Sequence, residues 1–293
     1  MGPEQFDILH RLVEKDLTKA HLCREPISSA ERLAFTLRYL SSGIDFKDVA
    51  MAYRVGIETA REAIHLTCGV LWEKLKDLYM KPPSPTEWAE ISRGFAERWQ
   101  FRNCIGDVDG KHVRIVAPKR TGSLYYNYKG TFSVVLMAVV DSRYRFVLID
   151  VGAEGRQSDS GVFKASPIGH HLESGTLGIP GIKKLPNSDL LVPHVFIGDE
   201  AFQLRRDFLR PYSGLNQPTE RRAFNLRLSR ARAAKDPLGD DPQWLHLEMV
   251  AVRKTGRRHA EAGVATPILS ARPMGLVVRN VQWSTLQQNG DEA

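Results

Sequence analysis

The sequence predicts an α/β protein, with a mixed sheet preceded by a helical N-terminal region, and three observations carry that expectation. Apolar residues recur at helical spacing up to about residue 100, then at strand spacing from Cys104 onward. Strand-like runs at 104–115, 132–140 and 145–151 follow one another across connections too short for parallel crossovers, which makes an antiparallel meander. After a helical stretch comes a further apolar run, Val195-Phe196-Ile197-Gly198-Asp199, leading toward another expected helix. Meander, helix, strand, helix is the order of an RNase H-like mixed sheet.

Taken in order, Ser28-Ser29-Ala30-Glu31 reads as a capping box, with Leu33, Leu37 and Leu40 at helical spacing until Gly43. Asp45-Phe46-Lys47-Asp48 starts a second helix that stops at Gly56, and a third begins near Glu58 with Ile64, Cys68, Leu71, Leu75 and Leu78 on one stripe. Three helices with a glycine turn between the last two resemble a helix-turn-helix, although Glu58, Glu62 and the single Arg61 make a poor groove-reading face. An ordinary packed bundle is the alternative. Pro82, Pro83 and Pro85 mark a linker and the first turn of a fourth helix whose apolar face is Trp88, Ile91, Phe95 and Trp99. Beyond the meander, a helix is expected around 161–172, another through Phe202, Leu204, Phe208 and Leu209, and a basic one over 219–232. The expected organisation is a helical, helix-turn-helix-like region over 1–100, the RNase H-like domain over 101–240, and an irregular basic segment over 241–293 that includes Lys254-Thr255-Gly256-Arg257-Arg258-His259.

Composition narrows the function classes. A chain of 293 residues, 42% hydrophobic, can fill a core, and its net charge of +7 leans toward a polyanionic partner. Cys23, Cys68 and Cys104 are widely spaced with no CxxC, which suggests neither a disulfide framework nor a zinc knuckle and fits a reducing cytosol or nucleus. The N-terminus lacks the pattern of a secretory signal, and the longest apolar run, 134–140, is far short of a membrane span. A soluble, intracellular protein is expected. Gly152-x-x-Gly155 lacks dinucleotide-loop spacing, and no GxSxG arrangement is present.

The chemistry centres on acids in strands. Asp109-Gly110 interrupts the β-branched run of Ile105, Val108, Val113 and Ile115, so it is either a turn or a site. Asp199 ends the later strand, which an RNase H-like sheet places next to the first. Cleavage of a phosphodiester by two Mg²⁺ or Mn²⁺ ions, held about 3.5–4 Å apart, needs convergent carboxylates, and hard cations prefer oxygen ligands.

Four motifs in order make a resemblance specific: 107–113 (Asp-Val-Asp-Gly-Lys-His-Val), 126–133 (Tyr-Asn-Tyr-Lys-Gly-Thr-Phe-Ser), 196–204 with Arg210-Pro211-Tyr212, and Phe224-Asn225 with Leu228-Ser229-Arg230-Ala231-Arg232. They resemble the Harbinger-type transposase-derived nucleases over about residues 28–232. The resemblance implies an RNase H-like DDE nuclease domain with divalent metal ions, DNA as substrate, a nuclear location and often a separate Myb-like partner that supplies DNA binding. It carries the family's first acid to Asp109 and its second to Asp199. Its third, a glutamate on a helix, falls on Asp236, one methylene shorter and followed by the helix-breaking Pro237. Against the family, the segment after Arg232 reads as shortened or divergent.

Lys111, His112, Lys129 and Arg156 are the candidates for contacting nucleic acid, since basic side chains bind phosphates without reading sequence. Surface solvation explains each singly. Asp159, in Gly155-Arg156-Gln157-Ser158-Asp159-Ser160-Gly161, reads as a helix cap, with an acid near the metals as the alternative. The function expected is a divalent-metal-dependent DNA endonuclease. Its rival is a catalytically silent descendant acting as a DNA- or protein-binding scaffold.

Overall fold

The structure, a computed structural model, describes residues 1–20 and 25–232. Cys23, Asp236, the basic run at 254–259 and the rest of the expected C-terminal segment lie outside the described residues. What is described falls into two compact units, one of Met1–Tyr79 and one running on from Met80.

The first unit is helical. Its helices are α1 (Pro3–Leu17), α2 (Ser29–Ser42), α3 (Phe46–Ala52) and α4 (Ile57–Tyr79). Ser28 caps α2 through the expected capping box, accepting from Glu31 N while the Glu31 carboxylate accepts from Ser28 N, and Gly43 is the C-cap. Asp45 caps α3, which ends at Ala52 rather than at Gly56. The sequence reading missed α1, whose stripe of Leu9, Val13 and Leu17 is fully buried. The long α4 packs against the other three helices, and Lys74 bridges to Asp16 of α1 at 2.9 Å.

The second unit opens with α5 (Pro85–Trp99), capped by Ser84. Then come β1 (Cys104–Arg114), β2 (Ser133–Val140), β3 (Phe146–Glu154), α6 (Asp159–Ala165) and α7 (Pro167–Glu173). A small pair, β4 (Lys183–Lys184) and β5 (Leu191–Val192), precedes β6 (Val195–Ile197), β7 (Phe208–Leu209) and α8 (Thr219–Arg232). Five strands form one sheet in the order β3-β2-β1-β6-β7. β1 and β2, and β2 and β3, pair antiparallel as the expected meander, whereas β6 adds parallel to β1 and β7 parallel to β6. This mixed α/β sheet bears out the RNase H-like expectation.

Hydrophobic residues on opposite sides of the sheet form two clusters. One gathers Val108, Val139 and Phe196 with Phe163 and Leu172 of α6 and α7; the other gathers Cys104 and Ile197 with Phe95 of α5 and Leu228 and Ala231 of α8. Trp88 belongs to the first cluster, edge-on to Phe196 at 5.9 Å, and its indole N–H donates to Leu177 O at 2.8 Å. Trp88→Ala removes the largest fully buried side chain and leaves that carbonyl without its donor. Chemical denaturation is expected to show a loss of about 3–5 kcal/mol.

Two helical expectations are corrected. The stretch at 161–172 is two helices rather than one, divided at Ser166, which ends α6 and caps α7 before Pro167. No helix runs through Phe202, Leu204, Phe208 and Leu209. Phe202 and Phe208 stack on each other at 5.1 Å inside the first cluster, and Phe208 is drawn into the sheet opposite Phe196. Burial of the two rings on one side overrides the helical period of that short segment.

Candidate active site

Asp109-Gly110 is not a turn: β1 runs through it, with Asp109 opposite Ala138 and Gly110 opposite Met137 on β2. Strand alternation therefore puts Asp107, Asp109 and Lys111 on one face and Gly110 and His112 on the other. On the parallel side the last matched pair is Asp107 with Ile197. Two residues further on stand Asp109, in the middle of β1, and Asp199, just past the end of β6, so continuing that register brings the two predicted acids level.

Local packing holds Asp199 there. Its Oδ1 accepts from Ala201 N at 2.9 Å, an Asx turn that bends the chain as soon as the strand ends. Arg210 donates to the carbonyls of Glu200 and Phe202, at 2.9 and 3.3 Å, tying down the loop that follows. Gly198 is required because a Cβ there would meet the rings of Phe202 and Phe208 at 2.8 Å. The Gly-Asp and Arg motifs thus serve one purpose, aiming a carboxylate off a strand end.

A third acid completes the group. Ser158, not Asp159, caps α6, accepting from Gly161 N at 3.3 Å, and Asp159 is the first helical residue. Asp159 leans over β1 so closely that a Cβ on Gly110 would stand 2.3 Å from its Oδ1. That oxygen is buried and has no hydrogen-bond partner. Burial, then repulsion from Asp199 and from Asp109, pushes the Asp159 carboxyl up to about 6, while Lys129 pulls it down. The cap reading is therefore corrected. The serine three residues before Gly161 was the available signal, since a Ser cap at 158 frees its neighbour to point elsewhere.

The basic candidates separate into two groups. His112 and Lys129 belong to the cluster. Burial, then Lys129, lowers the His112 pKa, and the ring lies 5.4 Å from the Tyr128 ring, edge to face. Buried Asn127 organises this corner: its Oδ1 accepts from the N–H groups of Lys129 and Thr131, and its Nδ2 donates to Ser133 Oγ at 2.8 Å. Ser133 Oγ in turn lies 2.9 Å from His112 Nδ1. Lys111 sits two residues beyond Asp109 on the same face of β1, and Arg156 is exposed in the turn leading to α6.

Residues 108–236 match the family described as DDE superfamily endonuclease. This stretch is similar to a DDE-type endonuclease domain. That bears out the resemblance read from the four motifs, and the matched span holds Asp109, Asp159, Asp199 and the undescribed Asp236. A protein of Arabidopsis thaliana called "Protein ALP1-like" is 26% identical over 241 residues, covering 78% of this chain and 57% of its own length. The chain thus spans little more than half of that relative. No solved structure matches.

The donor chemistry fits a hard divalent cation: carboxylate oxygens from three elements, one of them buried and unpartnered. The acids sense one another's charge, Asp159 most clearly. Among the described residues, no group of three His, Cys, Asp or Glu side chains is arranged to hold an ion.

Gly110→Ala places a methyl where the Asp159 carboxylate lies. Asp159 is expected to be displaced, so that divalent-ion binding weakens at least tenfold by calorimetry while the melting temperature changes little.

Proposed function

We propose that this protein is a divalent-metal-dependent DNA endonuclease of the transposase-derived kind, and that Asp159 joins Asp109 and Asp199 in holding the metal ions. The observation that carries the reading is the buried, unpartnered Asp159 oxygen, on a carboxyl that feels the charge of both Asp199 and Asp109, within a DDE endonuclease match. Such a concentration of negative charge is costly unless a cation compensates it. Bound Mg²⁺ or Mn²⁺ would activate an attacking water or DNA 3′-hydroxyl and stabilise the leaving oxygen.

The chain's own residues supply position and charge. Asp109 stands within β1, Asp199 just past the end of β6, and Asp159 approaches from a helix start over Gly110. Lys129 and Lys111 receive the phosphates on either side of the scissile bond, with His112 at the rim and Arg156 further out along the strand's path. Asp236 is proposed as a further ligand from the sequence alone. A nuclear location and a Myb-like partner belong to the same proposal. Among the described residues, no helix is long and apolar enough to cross a membrane.

Plasmid nicking tests this reading. Wild-type protein with Mn²⁺ is expected to convert supercoiled DNA to the open circle, and Asp109→Asn or Asp199→Asn to abolish the conversion. A wild-type protein that leaves the plasmid intact in Mn²⁺ and in Mg²⁺ overturns it. The rival, a silent binding scaffold, draws support from the lack of a closed three-acid ligand set among the described residues. On that reading DNA or a partner protein is bound and never cut.

A further inference from the structure

Tyr128 is 81% exposed, although it lies on a loop held by hydrogen bonds to buried Asn127. Buried Asn127 fixes the backbone on both sides of it, through bonds to Lys129 N at 3.0 Å and Thr131 N at 3.1 Å. The ring is buttressed edge to face by His112, and Lys129 Nζ lies over the ring, 5.6 Å from its centroid, where a stacking base would have to displace it. An aromatic ring held in place yet left wet presents a rigid π-face at little further entropic cost.

We infer that Tyr128 is a stacking platform for one unpaired nucleobase of the DNA strand whose phosphate enters the acid site. The inference rests on the nuclease reading above and deepens it by naming a substrate class, DNA with a nucleotide out of the helix beside the cleaved bond. Charge complementarity supports DNA as the occupant. Lys129, which acts electrostatically on both His112 and Asp159, would hold the phosphate of the nucleotide whose base stacks on the adjoining ring. Stacking on an aromatic side chain is tolerant of base identity and strong enough to be read by substitution.

The test measures binding of the full chain with Ca²⁺ in place of Mn²⁺. The probes are two DNAs of equal length, one fully paired and one carrying a single unpaired 2-aminopurine. Wild type is expected to bind the second DNA more tightly and to quench its fluorescence. Tyr128→Ala should lose about tenfold in affinity for the unpaired DNA and also lose the quench, with paired DNA bound as before. Tyr128→Phe, which keeps the ring, should behave as wild type. Matching melting curves for the three proteins would show that the fold is unaffected.

Equal loss on both DNAs, no loss with Tyr128→Ala, or as large a loss with Tyr128→Phe would each overturn the inference while leaving the nuclease reading intact. Failure of wild type to bind either DNA would overturn both.

Discussion

Asp159→Asn is expected to make the metal-free protein more resistant to heat at pH 7 and, in the same molecule, to abolish metal-dependent cleavage. The two effects have one cause. The Asp159 carboxyl is raised from 3.8 to about 6 in the folded state by burial and by Asp199 and Asp109, so the folded form holds its proton more tightly than the unfolded chain does. The stability this gives is fully present below pH 4 and is lost as pH rises through about 6. At neutral pH the ionised group therefore works against folding. Discounted for its partly solvated position, the penalty is about 1–2 kcal/mol. The amide substitution removes it, so the stability of wild type relative to the variant should fall as pH rises from 4 through 6. Differential scanning calorimetry across pH in EDTA reads the first effect, and plasmid nicking reads the second. A residue that served only as a helix cap would be left nearly unchanged by this substitution, because Asn caps a helix as well as Asp does.

The second large effect concerns the pair beneath the site. Arg232 Nε, near the end of α8, lies 3.4 Å from Asp107 Oδ1 on β1, with both side chains almost wholly buried, at 9% and 1% exposure. Removing one member of a buried ion pair leaves the other charged in a poor solvent. Arg232→Ala is expected to destabilise the protein by about 3–5 kcal/mol, measured by urea denaturation. Replacing both, as Asp107→Leu with Arg232→Met, should recover most of that loss, because two apolar side chains ask for no solvation. Asp107 is thus committed to a cation of the protein itself. That explains why the acid two residues before Asp109 does not need a place among the proposed metal ligands.

Much of the site was legible because strand patterning and register are simple. β-branched runs located β1, β2 and β6, and the short links of the meander fixed which strand lay free to receive β6. Once β6 pairs parallel with β1, with Asp107 opposite Ile197, Asp109 and Asp199 come level by simple continuation of that register. The segment after Asp199 was not legible, because four apolar residues at near-helical spacing fit a helix as readily as two rings stacked over Gly198. Nor was α1 read, since its cap is Gly2 and its stripe has only three buried members. Asp159 was visible but misassigned. Ser158 and Asp159 are equally good caps by type, and only the approach of α6 over Gly110 shows which one turns toward the sheet.

Titration of the metal-free protein with Mn²⁺ by isothermal calorimetry tests the central claim, that Asp109, Asp199 and Asp159 together hold divalent ions. Wild type is expected to give saturable heat, and Asp109→Asn, Asp199→Asn and Asp159→Asn each to weaken the binding at least tenfold. Absence of heat in wild type, or heat that survives all three substitutions unchanged, would contradict it.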